Sequence, residues 1–217
     1  MKKILTLLIG FSLLFSLGLS AMAEGKTVYV EYEKEKDADD FGPKVGLDWG
    51  VTERLTLSIS HQLEGDGANE ATTSLGVEYG LLENLAVAVN YDTADTEDSI
   101  GLELSGSYAL SDPWALTGGI AYTVYTPDEA PGENLEYDDL ELSAGVEYQA
   151  TEALLTSVSY VWTDTSYDDD VLDKTDGDST DKFVIDAEYS FGDYAVYLEY
   201  EIPEEGYKAI LGVSYSF

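Results

Sequence analysis

The sequence predicts a closed antiparallel transmembrane β-barrel of twelve strands, and three observations predict it. Apolar and polar residues alternate with a period of two from Lys26 onward, and no segment holds a helical period. The connections between the alternating runs are by turns short and long. The 44 acidic residues, in a chain of 217 with a formal net charge of −34, avoid the apolar row within every strand. A charge facing hydrocarbon is costly and a charge facing a wet interior is not, so this sorting is what a membrane-spanning sheet needs.

The chain begins with Lys2 and Lys3, then an apolar run from Ile4 to about Leu19, then Ala21, Met22 and Ala23 in the small-x-small pattern that signal peptidase accepts. The expected organisation is a cleaved signal peptide over 1–23 and one barrel domain over 24–217. The apolar run is shorter than the roughly 20 residues that a spanning helix needs.

Taken in order, the apolar rows are Val28, Val30, Tyr32; Val45, Leu47, Trp49, Val51; Leu55, Leu57, Ile59; Leu75, Val77, Tyr79, Leu81; Leu85, Val87, Val89, Tyr91; and Ile100, Leu102, Leu104, Tyr108, Leu110. The second half continues with Trp114, Leu116, Ile120, Tyr122, Val124; Leu140, Leu142, Val146, Tyr148; Leu154, Val158, Tyr160, Trp162; Phe183, Ile185, Tyr189, Phe191; Tyr194, Val196, Leu198, Tyr200; and Tyr207, Leu211, Val213, Tyr215, Phe217. Short turns fall at Thr52–Arg54, Leu82–Asn84, Ser111–Pro113, Thr151–Ala153 and Gly192–Asp193, while the other connections are mostly longer and rich in Asp, Glu, Gly and Pro. Short periplasmic turns and longer extracellular loops are the pattern of outer-membrane barrels, and an even strand count puts both ends of the domain on the short-turn side.

Each even-numbered strand carries an aromatic near its turn end: Trp49, Tyr79, Tyr108, Tyr148, Tyr189 and Tyr215. They predict a girdle at the periplasmic interface, where an amphipathic ring keeps its polar edge among headgroups. Tyr32, Tyr91, Tyr122, Tyr160, Trp162, Tyr200 and Tyr207 supply a second girdle near the opposite ends. A secreted β-sandwich would also keep charge off its core faces, but it has no use for two girdles, and its inner row would not be this polar.

Composition excludes several functions. A chain this acidic is repelled by phosphate, so nucleic acid is not an expected partner. It has no cysteine, which removes disulfides and thiolate metal sites.

The ending Gly212-Val213-Ser214-Tyr215-Ser216-Phe217 resembles the C-terminal signature of bacterial outer-membrane β-barrel proteins. The resemblance implies that Leu211, Val213, Tyr215 and Phe217 form the signal read by the barrel assembly machinery, and that the protein resides in the outer membrane among lipid and lipopolysaccharide. In length and strand count the chain is also similar to the small twelve-stranded porins for acidic oligosaccharides. Those carry arginine-lined channels, whereas Arg54 is the only arginine here and sits in a turn, so that substrate is not expected.

The polar rows place Glu31, Glu33, Asp48, Glu78, Glu103, Glu141, Glu147, Asp186, Glu188 and Glu199 in the lumen, with Lys44, Lys182 and Lys208 as counter-charges and mostly Gly, Ser, Thr and Ala between them. Such a lining attracts cations and rejects anions. The expected function is a porin-like channel for passive diffusion of small cationic or neutral hydrophilic solutes or ions. Twelve strands allow a narrow bore without guaranteeing one, so pairing among these side chains could also plug it. Tyr29, Tyr125 and Tyr197 point inward in this register and are expected to narrow the bore rather than to stack on a sugar.

Two other functions compete. One is a non-conducting surface protein with acidic cation-binding or adhesive loops. Asp168, Asp169, Asp170, Asp173, Asp176, Asp178 and Asp181 crowd one loop with oxygen ligands suited to weak calcium or magnesium binding, without EF-hand spacing. No other cofactor is expected, and loop acidity would equally suit a salt-adapted source. The third reading is an outer-membrane hydrolase. It would need a base titrating near neutrality, and His61 is the only histidine. His61 continues the lipid-facing row while Ser60 faces the other way, so no catalytic pair is expected.

Overall fold

In a computed structural model, residues 25–35, 42–63, 71–127, 136–167, 178–204 and 206–217 are described. The expected signal segment, 1–23, lies outside them. The strands are β1 (Lys26–Glu35), β2 (Gly42–Thr52), β3 (Leu55–Gln62), β4 (Thr72–Leu82), β5 (Leu85–Thr93), β6 (Glu97–Ser111), β7 (Trp114–Pro127), β8 (Tyr137–Gln149), β9 (Leu154–Tyr167), β10 (Asp178–Phe191), β11 (Tyr194–Pro203) and β12 (Lys208–Ser216). Each pairs antiparallel with its neighbours in sequence, and β1 closes the cylinder against β12. Closure leaves no strand edge unpaired, which is the condition for placing a sheet in hydrocarbon.

The turns show why the short connections sit where they do. Thr52 Oγ1 accepts hydrogen bonds from the backbone N–H groups of Arg54 and Leu55 at 3.2 and 3.1 Å, and Thr151 Oγ1 does the same for Ala153 and Leu154 at 3.2 and 3.0 Å. Gly192 opens the two-residue turn into β11 at φ +65°, a left-handed conformation that glycine adopts without a Cβ penalty. On the opposite rim the connection 94–96 is shorter than expected, and is tied by a hydrogen bond from Ala94 N–H to the Glu97 carbonyl at 3.0 Å.

Following direct partners from Thr27 through Asp48, Ser58, Gly76, Asn90, Gly101, Thr123, Asp139 and Thr165 leads to Asp178. Thr27 stands at the short-turn end of β1 and Asp178 at the loop end of β10, so the strands tilt steeply, by about 35–45° in a barrel of this kind.

The apolar rows face outward as expected. Ile59, Leu75, Val77, Ile100, Leu102, Phe183, Leu198 and Leu211 are each exposed on the outer wall. The short Val28 and Val30 are covered there, between their partners on β2 and β12. In the lower girdle Trp114 lies 4.4 Å from Tyr148, and Phe191, Tyr194, Tyr215 and Phe217 follow one another at 5.7, 4.8 and 5.6 Å. Tyr160 meets Phe183 at 5.4 Å and Tyr200 meets Tyr207 at 5.8 Å in the upper one.

The expectation that no acid occupies the apolar row of any strand needs correction. β6, β8, β9 and β10 run 13 to 15 residues, longer than the roughly 9–11 that cross a bilayer. Their outer rows therefore continue past the membrane into Asp98, Asp138, Asp164 and Asp181. Each stands one step beyond the outermost apolar residue of its row: Ile100, Leu140, Trp162 and Phe183. Two are engaged by girdle tyrosines, Tyr91 donating to Asp98 at 3.0 Å and Tyr160 bonding to Asp181. The sorting holds inside the hydrocarbon band and ends where the band ends.

The seam between the terminal strands is reinforced from within. Tyr197 on β11 lies across Gly212 on β12, in the space a Cβ would fill, and its hydroxyl donates to Glu31 on β1 at 2.7 Å. Tyr29 lies in the same way across Gly46 on β2. Tyr197→Phe is expected to lower unfolding stability by about 1 kcal/mol, the net value of one hydrogen bond to a charged acceptor at a half-exposed site. Urea titration of the protein refolded into lipid vesicles measures it.

Candidate functional site: the barrel lumen

The period of two puts every inner-row residue on the cylinder's interior, and all ten predicted carboxylates and three predicted lysines stand on that row. The longer strands add Asp92, Glu97, Asp139, Asp178 and Glu201, whose parity within β5, β6, β8, β10 and β11 is also inward. The apolar row beside them has already ended, so the period of two alone does not mark them as strand. Continuing the alternation outward from Gly101, Glu141 and Lys182 would have found most of them.

The charges are not evenly distributed around the bore. Lys44, Lys182 and Lys208 sit on β2, β10 and β12, near their loop ends. They pair with Glu31 at 3.2 Å, Glu201 at 2.9 Å and Glu33 at 3.1 Å. With Tyr29 and Tyr197 these pairs fill one wall, formed by β10, β11, β12, β1 and β2. The facing wall, β3 to β9, presents no lysine among the described residues. It is lined by small side chains, among them Ser58, Gly76, Ala86, Ala88, Ser105, Gly119, Ala121, Ser143 and Ser159, with Glu78, Glu103, Glu141 and Glu147 between them.

Open volume follows the small residues. A cavity of about 800 Å³ occupies the periplasmic half beside Glu78, Ser105, Ser143, Glu147 and Asp186, with Arg54 at its rim. A second, of about 280 Å³, shares Glu147, Ser157 and Asp186 with it and reaches Glu188, Tyr197 and Glu199. A third, of about 230 Å³, lies in the extracellular half between Asn90, Asp92, Glu103, Tyr125, Asp139 and Glu141. Tyr29 and Tyr197 narrow the filled wall and Tyr125 stands on the open one, and open volume remains between them among the described residues.

Hydroxyl groups steady several carboxylates. Ser157 donates to Asp186 at 2.6 Å, Thr165 to Asp139 at 2.6 Å, Ser99 to Asp92 at 3.2 Å and Ser190 to Glu188 at 3.2 Å. Such donors hold an ionised carboxylate in place without neutralising it. Glu103, Glu141 and Glu147 have no lysine within ion-pair distance among the described residues.

Two of the seven aspartates expected to bind a metal fall among the described residues. Asp178 and Asp181 lie within β10, where alternation sends Asp178 inward and Asp181 outward, so they cannot share one ion. Asp168, Asp169, Asp170, Asp173 and Asp176 lie outside the described residues, and no cluster of three metal-ligating side chains occurs among the described ones. His61 stands on the outer row with its Nδ1 3.0 Å from Thr73 Oγ1, while Ser60 is buried inside. On β12, Leu211 and Val213 face outward and Tyr215 stacks on Phe217.

A closed sheet with an apolar outer band, two aromatic girdles and a charged interior defines a bacterial outer-membrane β-barrel. The chain belongs to the Gram-negative porin family, whose family model matches residues 15–204, and it is an outer-membrane porin channel. Among solved structures it is similar to the KdgM porin in complex with disordered oligogalacturonate, at 12% identity and TM-score 0.65, over 88% of this chain and 99% of that one. It is similar in fold to LpxR from Salmonella typhimurium, at 9% identity and TM-score 0.59, over 88% and 100% of the two chains. It is also similar to the translocator domain of the autotransporter NalP from Neisseria meningitidis, at 14% identity and TM-score 0.55, over 93% and 92%. These likenesses show the fold alone. No curated protein sequence matches the chain.

Proposed function

We propose that this porin passes small hydrophilic solutes and ions with a preference for cations, along the lysine-free wall of β3 to β9. The observation that carries the reading is the segregation of charge: every described luminal lysine is tied to a glutamate on one wall, and the open side retains Glu78, Glu103, Glu141 and Glu147. Low-dielectric walls lined with one sign of charge raise the local counter-ion concentration by about 10- to 1,000-fold at low salt. The Debye length is about 10 Å at 0.1 M, so an ion passing close along the wall stays within its field. Acidic oligosaccharides, the ligand of the KdgM complex, would meet repulsion here.

The test is a planar lipid bilayer containing the purified protein between unequal potassium chloride solutions. Stepwise conductance with a zero-current voltage on the potassium side is the expected result, and the preference should weaken as total salt rises. A zero-current voltage on the chloride side would refute the cation preference. A bilayer that stays silent at high protein load would instead favour the surface-protein function.

A further inference from the structure

On the open wall β6 to β9 run 13 to 15 residues, and the inner face of their loop ends carries a feature the ion channel does not require. Tyr125, Tyr137 and Tyr167 are direct neighbours on β7, β8 and β9 and all face the lumen. Tyr125 and Tyr137 stack at 4.4 Å with their planes 8° apart, and Tyr137 meets Tyr167 at 5.9 Å. Elsewhere the uncharged inner positions of this wall are mostly Ser, Thr, Gly and Ala. The ring hydroxyls are anchored on carboxylates, Tyr137 to Glu97 at 3.1 Å and Tyr125 to Asp139, and Tyr137 covers one face of Tyr125, which leaves the other face of Tyr125 as the recognition surface.

Tyr125 lines the 230 Å³ cavity together with the carboxylates of Asp92, Glu103, Asp139 and Glu141 and the neutral polar groups of Asn90, Thr123 and Thr163. We propose that this extracellular vestibule is a subsite for a protonated amino sugar, an inference that rests on the channel function above. An aromatic face offers an apolar platform to the C–H face of a pyranose. The carboxylates take the ammonium group, and Asn90, Thr123 and Thr163 serve ring hydroxyls. The cavity is smaller than the roughly 300–1,000 Å³ of drug-sized pockets, so it fits one ring rather than a chain. An inorganic cation has no use for the rings, a neutral sugar has none for this density of charge, and an acidic sugar is repelled.

The experiment follows potassium current through the reconstituted protein while D-glucosamine, N-acetyl-D-glucosamine or ethanolammonium is added to each side in turn. Glucosamine shares its ring with the neutral probe and its charge with the acyclic one. It is expected to interrupt the current at a concentration about tenfold below either, and from the loop side. Tyr125→Leu should raise its blocking concentration about fivefold and leave ethanolammonium unchanged. The isosteric Asp92→Asn and Asp139→Asn should weaken it even if Tyr125→Leu fails to fold. Equal block by ethanolammonium, or no effect of these variants, overturns the subsite while the channel stands. Saturation-transfer NMR of glucosamine with the detergent-solubilised protein reads binding without any current. A signal there with a silent bilayer keeps the subsite and removes the channel, and no transfer removes the subsite.

Discussion

Replacing Glu103, Glu141 and Glu147 together by glutamine is expected to lower the cation-to-anion permeability ratio about tenfold at low salt. These three lie on the open wall, two beside the extracellular cavity and one beside both periplasmic ones, so a permeating ion meets them in succession. Glutamine keeps the shape and the hydrogen-bonding reach of each side chain, so bore width and single-channel conductance at high salt should change little. The control is the same substitution at Glu31, Glu33 and Glu201. Each of these neutralises a lysine, so their loss leaves Lys44, Lys208 and Lys182 uncompensated on the filled wall. That variant should lose selectivity too, but with a larger fall in stability, because it strands partly buried cations. Zero-current voltages over a series of salt gradients, beside urea midpoints, separate the two variants. If the open-wall variant keeps its full preference, the acidic wall is not the selectivity filter.

Much of this arrangement was legible in the residue order, and the part that was not has identifiable causes. Strand number, faces and the two rims followed from the period of two and from the turn residues, since one side of each strand meets hydrocarbon and cannot slip by a residue. Strand ends were less legible. The apolar signal stops at the membrane surface, while the hydrogen-bonded ladder of β5 to β11 runs on, so the inward positions of Asp92, Glu97, Asp139, Asp178, Glu201, Tyr137 and Tyr167 carry no apolar row beside them to mark them as strand. Pairing across the seam depends on closure and tilt. No local pattern announces that Tyr197 reaches Glu31, a partner 166 residues away in sequence. The contrast between walls, with the luminal Lys on one and most of the Gly, Ser and Ala on the other, was present in the sequence but acquires meaning only once the cylinder is closed.

The same sorting rule makes adjacent residues respond oppositely to charge. Leu102 on β6 faces outward with 55% of its surface exposed, and its direct partners Val89 and Tyr122 lie on the outer row. Glu103, the next residue, faces the lumen opposite Ala88 and Ala121. Leu102→Arg is expected to destabilise the folded barrel by about 2 kcal/mol, between the values for arginine at the bilayer midplane and near the interface. The guanidinium would have to reach the headgroups past the Tyr91 and Tyr122 level or draw water and thin the bilayer locally, and both routes carry a cost. Glu103→Arg places the same group in water, flanked by alanines and facing the acidic wall. Its effect on stability should stay within about 1 kcal/mol, while cation preference falls. Urea unfolding in vesicles, followed by the gel-mobility difference between folded and unfolded barrel, gives both numbers. Near-equal destabilisation by the two arginines would mean that the outer face of β6 does not meet lipid, which would remove the ground for reading an inner wall at all.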